Sequence, residues 1–553
     1  MKLMPIRRGL PFVMAAALSS APALANNLDK FSYAGKSVVS AMTAGGHMTS
    51  VNKTWGLSLD NQLDPNWLVQ TPIAKYWGVG AGQLPLPTEC VAGTAACNSD
   101  YLLKNCTSSP DCGPRGQCMT IASSVKRPGE TPKKLCTGHS DEQLDDLYRA
   151  IIEAESYVDI STLTLQNGRF QAALRNAFTF LASKNKPIQI RVLYGSFPGG
   201  GVDVDGSLRE LVRDLPPHAK LTVHLAKYAY KVTTWNHAKI VAVDGKLVLA
   251  GGTNLWTTHY LNQNPIHDML MRVRGTAAAH ASAFLNSQWD IACQRFGVGP
   301  DLLTGTTIRA FPEGAPACPS NFSGRSLRAG SGGVPILSVG RLGAAGDNAS
   351  DDAILGLMRG AKRELWMSHQ DVGPVKRAGI TLGTWPEPWI NEVLGALSRG
   401  VKVYLVLSGY KAVPGGLTGT AGLLATYSNG YNPEDVANEI YSRAAKSGKF
   451  RAGSNLRKLF CNNLNIAPIR MSPDNTWPDG VNLGNHVKST MVDGQAFYVG
   501  SQNIYWSNNS EFGFIVDDAA TTQSYIKAYW SKLWEQSRRA AVSGWGARAC
   551  LIK

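Results

Sequence analysis

The sequence predicts an α/β fold made of two similar halves, each a β-sheet flanked by helices, related by a pseudo-twofold. The first observation is a duplication: "WNHAKIVAVDGKLVLAGGTN" at 235–254 and "NHVKSTMVDGQAFYVGSQN" at 485–503 share His, Lys, Asp, Gly and Asn at the same internal spacings. The second is an alternation of helical and strand periodicity before each copy. We therefore expect the active site to lie at the interface between the halves.

Residues 139–320 form the first predicted half. Apolar residues recur at helical spacing in "SDEQLDDLYRAIIEAES", behind a predicted Ser140 cap, and the β-rich "YVDISTL" follows. A second helix, "RFQAALRNAFTFLAS", and a second strand, "IQIRVLYG", complete a β-α-β alternation before the motif. Residues 26–87 are irregular and contain several aromatic residues, and we assign them to this half as its N-terminal segment.

Residues 336–553 form the second predicted half and repeat this order with different residues. Helix "DDAILGLMRGAK", strand "ELWMSHQ", helix "PWINEVLGALSRG" and strand "VKVYLVLSG" precede the second motif. Each half ends with two short strands that carry the motif and then a helix. Between the halves, residues 321–335 are rich in Ser and Gly, which predicts a flexible linker.

Length and composition predict a folded, exported protein. Of 553 residues, 44% are hydrophobic and 17% charged, which is enough for a large core. Residues 1–25 are typical of a signal peptide, because Lys2, Arg7 and Arg8 precede an apolar run that closes on Ala23-Leu24-Ala25. The adjacent arginines leave twin-arginine export as an alternative to ordinary secretion. No other segment offers the roughly 18 consecutive apolar residues of a membrane span, so we expect a soluble mature protein.

The charge is strongly basic. The formal charge of +15, less the three cations of the predicted signal, gives about +12 for the mature chain. Such an excess favours anionic lipid surfaces, phosphate groups or nucleic acid as partners, and charge alone does not choose among them.

Ten cysteines in an exported chain predict disulfide bonds. Six of them crowd into residues 88–138, which we interpret as a stapled surface insert: Cys90, Cys97, Cys106, Cys112, Cys118 and Cys136. Three local bonds are expected there, but six cysteines allow many connectivities, so the pairing stays open. Cys293 and Cys318 flank a loop and are expected to pair, which leaves Cys461 and Cys550 as the fifth couple.

The duplicated motif sets an imidazole and an ammonium two residues apart. On a strand, His237 and Lys239 would point to one face, as would His486 and Lys488. Such a pair can attack or protonate a substrate while it holds an anionic oxygen. Two pairs facing each other would surround one phosphate, with one imidazole neutral to attack and the other protonated to donate. No cluster has metal-ligand spacing, so we predict no metal and no other cofactor.

The paired motifs resemble the HKD motifs of the phospholipase D superfamily. The similarity extends to "WLVQTP", "YVDISTL", "GGTNLW", "FLNSQWDIAC", "CNNLNIAPIR" and "EFGFIVDD", which occur in the order typical of secreted bacterial phospholipases D and cover most of residues 60–553. The six-cysteine insert departs from the family pattern. The resemblance implies that His237 forms a phosphohistidine. His486 would protonate the diacylglycerol oxygen and then activate water or an alcohol, and the near-symmetry of the halves leaves the reverse order open.

The resemblance also implies roles for the surrounding residues. The phosphate-holding residues would be Lys239, Lys488, Asn254 and Asn503. Asp268 and Glu511 would orient and polarise the histidines, as a carboxylate does in a triad. Asp244 and Asp493 precede Gly in a turn and are expected to hold that turn rather than do chemistry. Backbone passage close to the phosphate is expected at Gly251, Gly252, Gly500 and Ser501, with hairpin-turn glycines as the alternative.

The leading hypothesis is a secreted phospholipase D that hydrolyses glycerophospholipids such as phosphatidylcholine to phosphatidate and free head group, with transfer to alcohols. The alternative is an HKD-type nuclease or phosphodiesterase acting on nucleic acid, which the basic charge would suit. A membrane-embedded synthase is disfavoured because the mature chain has no apolar span. A non-catalytic binding protein is disfavoured because both motifs are complete.

The partners follow from this hypothesis. We expect a phospholipid membrane or micelle surface as substrate, no obligatory protein partner, no nucleic-acid partner, and a monomer in the periplasm or outside the cell. The segments "TWPEPWI", "NTWP" and "NIYW" are candidates for membrane contact, and buried core tryptophans would explain them equally well.

Overall fold

The computed structural model describes residues 28–196, 201–230, 234–296, 306–323, 330–377, 380–413, 427–451, 455–505 and 507–553. The predicted signal at 1–25 and part of the predicted linker at 321–335 lie outside these ranges. Two large mixed β-sheets flanked by helices confirm the predicted α/β class. Among the described helices, none is both long and apolar enough to cross a membrane.

The first-half sheet has a parallel side and an antiparallel side. In spatial order its strands are Thr234–Trp235, Leu221–Tyr230, Ile188–Gly195, Tyr157–Thr162, Ile240–Val243, Leu247–Gly251, Asp268–Arg274 and Leu68–Thr71, with Thr307–Phe311 also paired to Leu221–Tyr230. The three strands from Leu221–Tyr230 to Tyr157–Thr162 are parallel, and the remaining pairs are antiparallel.

The second-half sheet repeats this plan. Its strands, in spatial order, are Leu464–Pro468, Lys402–Leu407, Glu364–Ser368, Ser489–Val492, Ala496–Gly500, Glu511–Val516, Val334–Arg341 and Trp55–Asn61. The first three are again parallel and the others antiparallel. In both sheets the motif hairpin occupies the centre, next to the parallel strands, so the duplication seen in the sequence is a duplication of structure.

Helices cover the outer faces of both sheets, and the inner faces share one core. Within the described ranges the α-helices are Tyr33–Ala44, Glu142–Ile152, Gly168–Ser183, Val204–Val212, Thr257–Tyr260, Thr276–Arg295, Ala349–Arg359, Glu387–Ser398, Pro433–Ala444, Leu456–Asn463, Ala519–Tyr525 and Ser531–Ser537. A π-helical segment, Ile526–Trp530, joins the last two. Strand residues from both halves, such as Ala250 and Val499, lie in the same buried cluster, which holds the two sheets together.

The N-terminal segment divides between the two halves, so its assignment to the first half is only partly right. Leu68–Thr71 joins the first-half sheet as predicted. Trp55–Asn61 instead pairs with Val334–Arg341 as the edge strand of the second-half sheet, and helix Tyr33–Ala44 packs on Ala349–Arg359. The partner strand of Trp55–Asn61 lies about 280 residues later in the chain. No local sequence pattern indicates which sheet this strand joins.

The cysteine-rich insert contains three local disulfide bonds, as predicted. They join Cys90 to Cys97, Cys106 to Cys118 and Cys112 to Cys136, and the expected Cys293–Cys318 and Cys461–Cys550 bonds are also present. Cys106, Cys112 and Cys136 bring their sulfurs within 4.8 Å of one another. All three are oxidised, so they offer no thiolate to a metal.

The insert is more than a surface module. Its strands are Cys97–Asn98, Leu103–Lys104, Gln117–Ile121 and Lys133–Thr137. Leu103, Ile121 and Leu135 are buried in the first-half core. The helix beneath the insert begins at Glu142, and Ser140, predicted as its cap, instead bonds the His139 imidazole at 2.6 Å.

Candidate active site

The four motif side chains lie just before the central hairpins rather than inside them. His237 and Lys239 precede the strand Ile240–Val243, and His486 and Lys488 precede Ser489–Val492, so the predicted strands begin later than expected. The reason is that the histidine N–H groups bond across the halves instead of within their own sheets. They donate to carbonyls of the other half at 2.9 Å for His237 and 2.8 Å for His486.

Each histidine is paired with a carboxylate from the other half. Glu511 Oε2 lies 2.8 Å from His237 Nδ1, and Asp268 Oδ2 lies 2.7 Å from His486 Nδ1. All four side chains are buried. The crossing arises because the residue that precedes each carboxylate accepts the backbone bond from the opposite histidine. With Nδ1 donating to a carboxylate, each Nε2 keeps the lone pair that can attack or be protonated.

The two lysines are buried beside the histidines. Each ammonium donates to the carbonyl oxygen of the histidine two residues before it. Burial lowers the pKa of Lys239 to about 7 and the pKa of Lys488 to about 8, although nearby carboxylates oppose the shift. A bound anion would offset this burial and favour the charged ammonium. The lysines therefore suit a phosphate group.

The pKa of each motif histidine is lowered in the free site, which favours the neutral imidazole. Burial lowers the pKa of His237 to about 4, helped by the charge of Lys239 and opposed by Glu511. Burial, together with the charges of Lys488 and Lys239, lowers the pKa of His486 well below its usual value. An anionic phosphodiester would counter these charges, so protonation of one imidazole is expected to accompany substrate binding.

The two carboxylates differ in environment. Burial raises the pKa of Glu511, but the His237 imidazole, the Lys239 charge and the Ser501 hydroxyl, 2.6 Å away, together outweigh it, so the pKa lies below its usual value. Burial raises the pKa of Asp268 to about 7, and its additional side-chain partner is the Tyr260 hydroxyl at 3.0 Å. Glu511 is therefore the firmer anion of the two.

The predicted phosphate-holding amides are also buried. Both polar side-chain atoms of Asn254, together with Oδ1 of Asn503, are buried without a hydrogen-bond partner among the described residues. Asn503 Nδ2 donates to the Tyr505 hydroxyl at 2.8 Å. Buried amides normally find partners, so these atoms are suited to a polar ligand between the halves.

The small residues after the motif strands are required by packing. A Cβ on Gly251 would lie 2.3 Å from the Met269 carbonyl oxygen, and one on Gly252 would lie 2.1 Å from Asp268 Oδ1. A Cβ on Gly500 would lie 2.1 Å from the Tyr498 hydroxyl oxygen. None of the three lies in a hairpin turn, so the turn alternative is wrong for them.

Asp244 and Asp493 occupy the hairpin turns, at positive φ of 52° and 55°. The Asp244 carboxylate accepts backbone N–H bonds of 2.8–3.0 Å from residues 155–157, and Asp493 accepts bonds of 2.7–2.8 Å from residues 362–364. Each aspartate thus ties its turn to the start of the neighbouring strand, and neither is hydrogen bonded to a motif histidine or lysine.

Sequence reasoning missed two asparagines and two tyrosines. Asn236 and Asn485 precede the histidines, and each side-chain oxygen accepts the backbone N–H two residues on at 3.2 Å, which shapes the histidine segment. Because each asparagine directly precedes its motif histidine, the duplication itself could have identified both. Tyr260 and Tyr427 have no repeated counterpart. The Tyr260 hydroxyl lies 3.3 Å from His486 Nδ1, and the Tyr427 ring meets the His486 ring edge-on at 4.9 Å.

Comparison with known proteins agrees with this geometry. No protein-family model matches the chain. It is 28% identical over 458 residues to "Phospholipase D" of Streptomyces antibioticus, covering 73% of this chain and 79% of that one. It is 22% identical over 250 residues to "Cardiolipin synthase 1" of Bacillus cereus, covering 43% and 44%.

Solved structures with similar folds were also found. Phosphatidylserine synthase of Haemophilus influenzae is 13% identical, with a TM-score of 0.46 and coverage of 72% of this chain and 84% of that one. Nuc of Salmonella typhimurium is 19% identical, with a TM-score of 0.19 and coverage of 33% and 86%. The chain thus joins two histidine–lysine motifs at one buried site and is similar, across most of its length, to a phospholipase D.

Proposed function

We propose that this phospholipase D-type enzyme hydrolyses glycerophospholipids such as phosphatidylcholine to phosphatidate and free head group, and transfers the phosphatidyl group to alcohols. The observation that carries the proposal is the crosswise pairing of two buried histidines with two buried carboxylates. This arrangement supplies one nucleophile and one acid-base group at a single cationic site.

In the first step, His237 Nε2 attacks phosphorus, so a P–N bond forms while the P–O bond to the head group breaks. His486 Nε2 gives its proton to the departing head-group oxygen. The ionised Glu511 favours His237 as the nucleophile, because the imidazole gains positive charge as it attacks. Lys239, Lys488 and the asparagine amides stabilise the phosphate oxygens.

In the second step, His486 takes a proton from water, whose oxygen attacks phosphorus as the P–N bond breaks. Phosphatidate leaves and His237 is regenerated, and an alcohol in place of water gives transfer. The expectation that His486 protonates the diacylglycerol oxygen is wrong for this reaction. Release of that oxygen would yield diacylglycerol, whereas phosphatidate requires the head-group oxygen to leave.

The test is choline release from phosphatidylcholine vesicles with a chelator and ethanol present, in parallel with degradation of single- and double-stranded DNA. Choline release with formation of phosphatidylethanol is expected. His237→Ala and His486→Ala should each abolish it, while exposed His218→Ala serves as the control and should keep full activity. DNA cleavage without choline release would instead support the nuclease alternative, and full turnover by His237→Ala would contradict the two-histidine mechanism.

We also propose that the chain is exported. The typical signal at residues 1–25 and the five disulfide bonds support this location, because disulfides persist in oxidising compartments. Fractionation of cells that express the full chain should recover activity from the periplasm or medium, with the mature N-terminus near Asn26. Activity confined to the cytoplasm with the N-terminal segment intact would refute export.

A further inference from the structure

The aromatic segments that the sequence offered for membrane contact mostly point inward. Trp389 and Trp477 are each only 3% exposed. Trp385 is partly buried and packs against the Tyr431 ring at 5.0 Å, and Trp506 of "NIYW" lies outside the described residues. A surface for a lipid layer must therefore come from other residues.

A small hairpin in the second half presents the strongest apolar surface near the active site. Its strands, Val375–Arg377 and Ile380–Leu382, pair antiparallel. Ile380 is 63% exposed and Leu382 is 61% exposed, and residues two apart on a strand share a face. Among the large apolar side chains of the described residues, only Val91 in the cysteine-rich insert is more exposed.

The base of this hairpin is tied to the active site. Just before it, Val372–Gly373 pairs with Ile504–Tyr505, which directly follows the phosphate-site Asn503. Lys376 N donates to the Asn429 carbonyl oxygen at 2.7 Å, in the segment that leads from Tyr427. The hairpin is thus hydrogen bonded to segments that contain or adjoin Asn503 and Tyr427, and the Tyr427 ring contacts His486.

Two exposed lysines lie on the hairpin and on a segment linked to Tyr427. Lys376 pairs with Thr381, so it lies on the opposite face of the hairpin from Ile380 and Leu382, with its ammonium 5.8 Å from the Tyr431 ring. Lys411 is exposed, and its ammonium lies 5.2 Å from the ring of Tyr410, which is itself 40% exposed. The segment of Tyr410 and Lys411 is linked to Tyr427, whose backbone N–H donates to the Ala412 carbonyl oxygen at 2.8 Å. An exposed aliphatic pair with exposed lysines on its own and a neighbouring segment matches a layer with anionic head groups above an apolar interior.

We propose that the strands Val375–Arg377 and Ile380–Leu382, with Tyr410 and Lys411, form the surface that docks on a phospholipid layer. Ile380 and Leu382 enter the boundary between head groups and acyl chains, and the lysines bind anionic head groups. Docking there brings the lipid surface next to the segments that lead to Asn503 and Tyr427. The inference rests on the proposed function, since it names the physical form in which the substrate is met.

The test compares Ile380→Ser/Leu382→Ser with the control Val91→Ser, which removes an even more exposed apolar side chain from the insert. Binding is measured by sedimentation with phosphatidylcholine vesicles, with and without phosphatidylglycerol. Turnover is measured on those vesicles and on a short-chain phosphatidylcholine below its micellar concentration. The double variant should bind vesicles about 10- to 100-fold more weakly and lose vesicle turnover in proportion, since the apolar area is no longer buried. Turnover of the monomeric substrate should change less than about twofold.

Unchanged vesicle binding by the double variant would overturn the proposal, as would an equal loss on the monomeric substrate, which would mean that the hairpin only supports the site. Weaker binding by Val91→Ser alone would assign docking to the insert. Sedimentation measures vesicle binding independently of turnover, so the two proposals can fail separately. A wild-type chain that binds vesicles through this hairpin but hydrolyses neither substrate would refute the proposed function and leave docking intact.

Discussion

The crosswise pairing makes its sharpest prediction at Glu511. Glu511→Gln keeps the size of the side chain and an oxygen that can accept from His237 Nδ1, but it removes the negative charge. Because Glu511 is buried and accepts from both His237 and Ser501, the neutral amide has no water to compensate for the lost charge. The imidazolium character that develops at His237 during attack then has no anion beside it.

The expected loss can be bounded. A hydrogen bond to a charged group contributes about 1.5–3 kcal/mol, or roughly 10- to 150-fold in rate. Loss of control over the imidazole tautomer raises the penalty in a triad to about 10⁴-fold. We therefore expect kcat to fall by more than about 10-fold and by up to about 10⁴-fold. Ser501→Ala retains the charge and loses only one donor, so it should cost no more than about tenfold.

The assay separates the roles of the two carboxylates. A phosphatidyl ester of a nitrophenol has a head group that leaves without a proton, so its first step needs the nucleophile but not the acid. Rapid-quench measurement of the phosphohistidine burst should show that Glu511→Gln slows this burst strongly. Asp268→Asn, which disturbs His486, should leave it nearly intact and slow the following hydrolysis.

Two results would refute this reasoning. One is a Glu511→Gln burst as fast as that of the wild type. The other is slowing of the burst by Asp268→Asn alone, which would exchange the roles of the two histidines. A double variant, His237→Ala/Glu511→Gln, should be no slower than His237→Ala, since the carboxylate acts through that imidazole.

Three further predictions concern packing and stability. Gly252→Ala sets a Cβ against Asp268 Oδ1 and should lower kcat about 10²-fold or more, whereas Gly82→Ala, where a Cβ meets nothing within 4 Å, should not change it. Burial lowers the pKa of His47, but hydrogen bonds from its two ring nitrogens to Asp352 and Asp347 outweigh this, so its pKa is raised. That stabilisation is complete below about pH 6.5 and is lost as pH rises through the folded pKa. Thermal unfolding should show a decline in Tm above pH 6.5 that His47→Gln reduces, and equal declines would contradict it. Removing the Cys461–Cys550 bond, which closes a separation of 89 residues, should lower the free energy of unfolding by about 2–5 kcal/mol in denaturant titrations. An unchanged midpoint would refute that role.

The duplicated motif could be found in the sequence because its spacing is local. Both histidines, lysines and asparagines recur at fixed offsets, and the two α/β halves follow from periodicity around them. The Asp-Gly dipeptides after the motif strands likewise indicate the tight turns that the structure places at Asp244 and Asp493.

The crosswise pairing could not be found this way, because it depends on how the halves dock. Glu511 and His237 are separated by 274 residues, and nothing near either residue shows which carboxylate meets which imidazole. Tyr260 and Tyr427 were missed for a related reason. Each belongs to one half only, so no repetition draws attention to it.

The edge strand Trp55–Asn61 has a consequence for how the chain reaches its fold. It is made early in synthesis, yet its pairing partner, Val334–Arg341, follows about 280 residues later. The apolar face of helix Tyr33–Ala44 must wait equally long for Ala349–Arg359. Until these partners are synthesised, the strand and the helix both expose apolar surface that can aggregate, so we expect chaperones to assist folding. Cutting the chain at residue 330 would likewise separate the second sheet from its edge strand. The second half therefore folds as a unit only if residues 28–61 are also present.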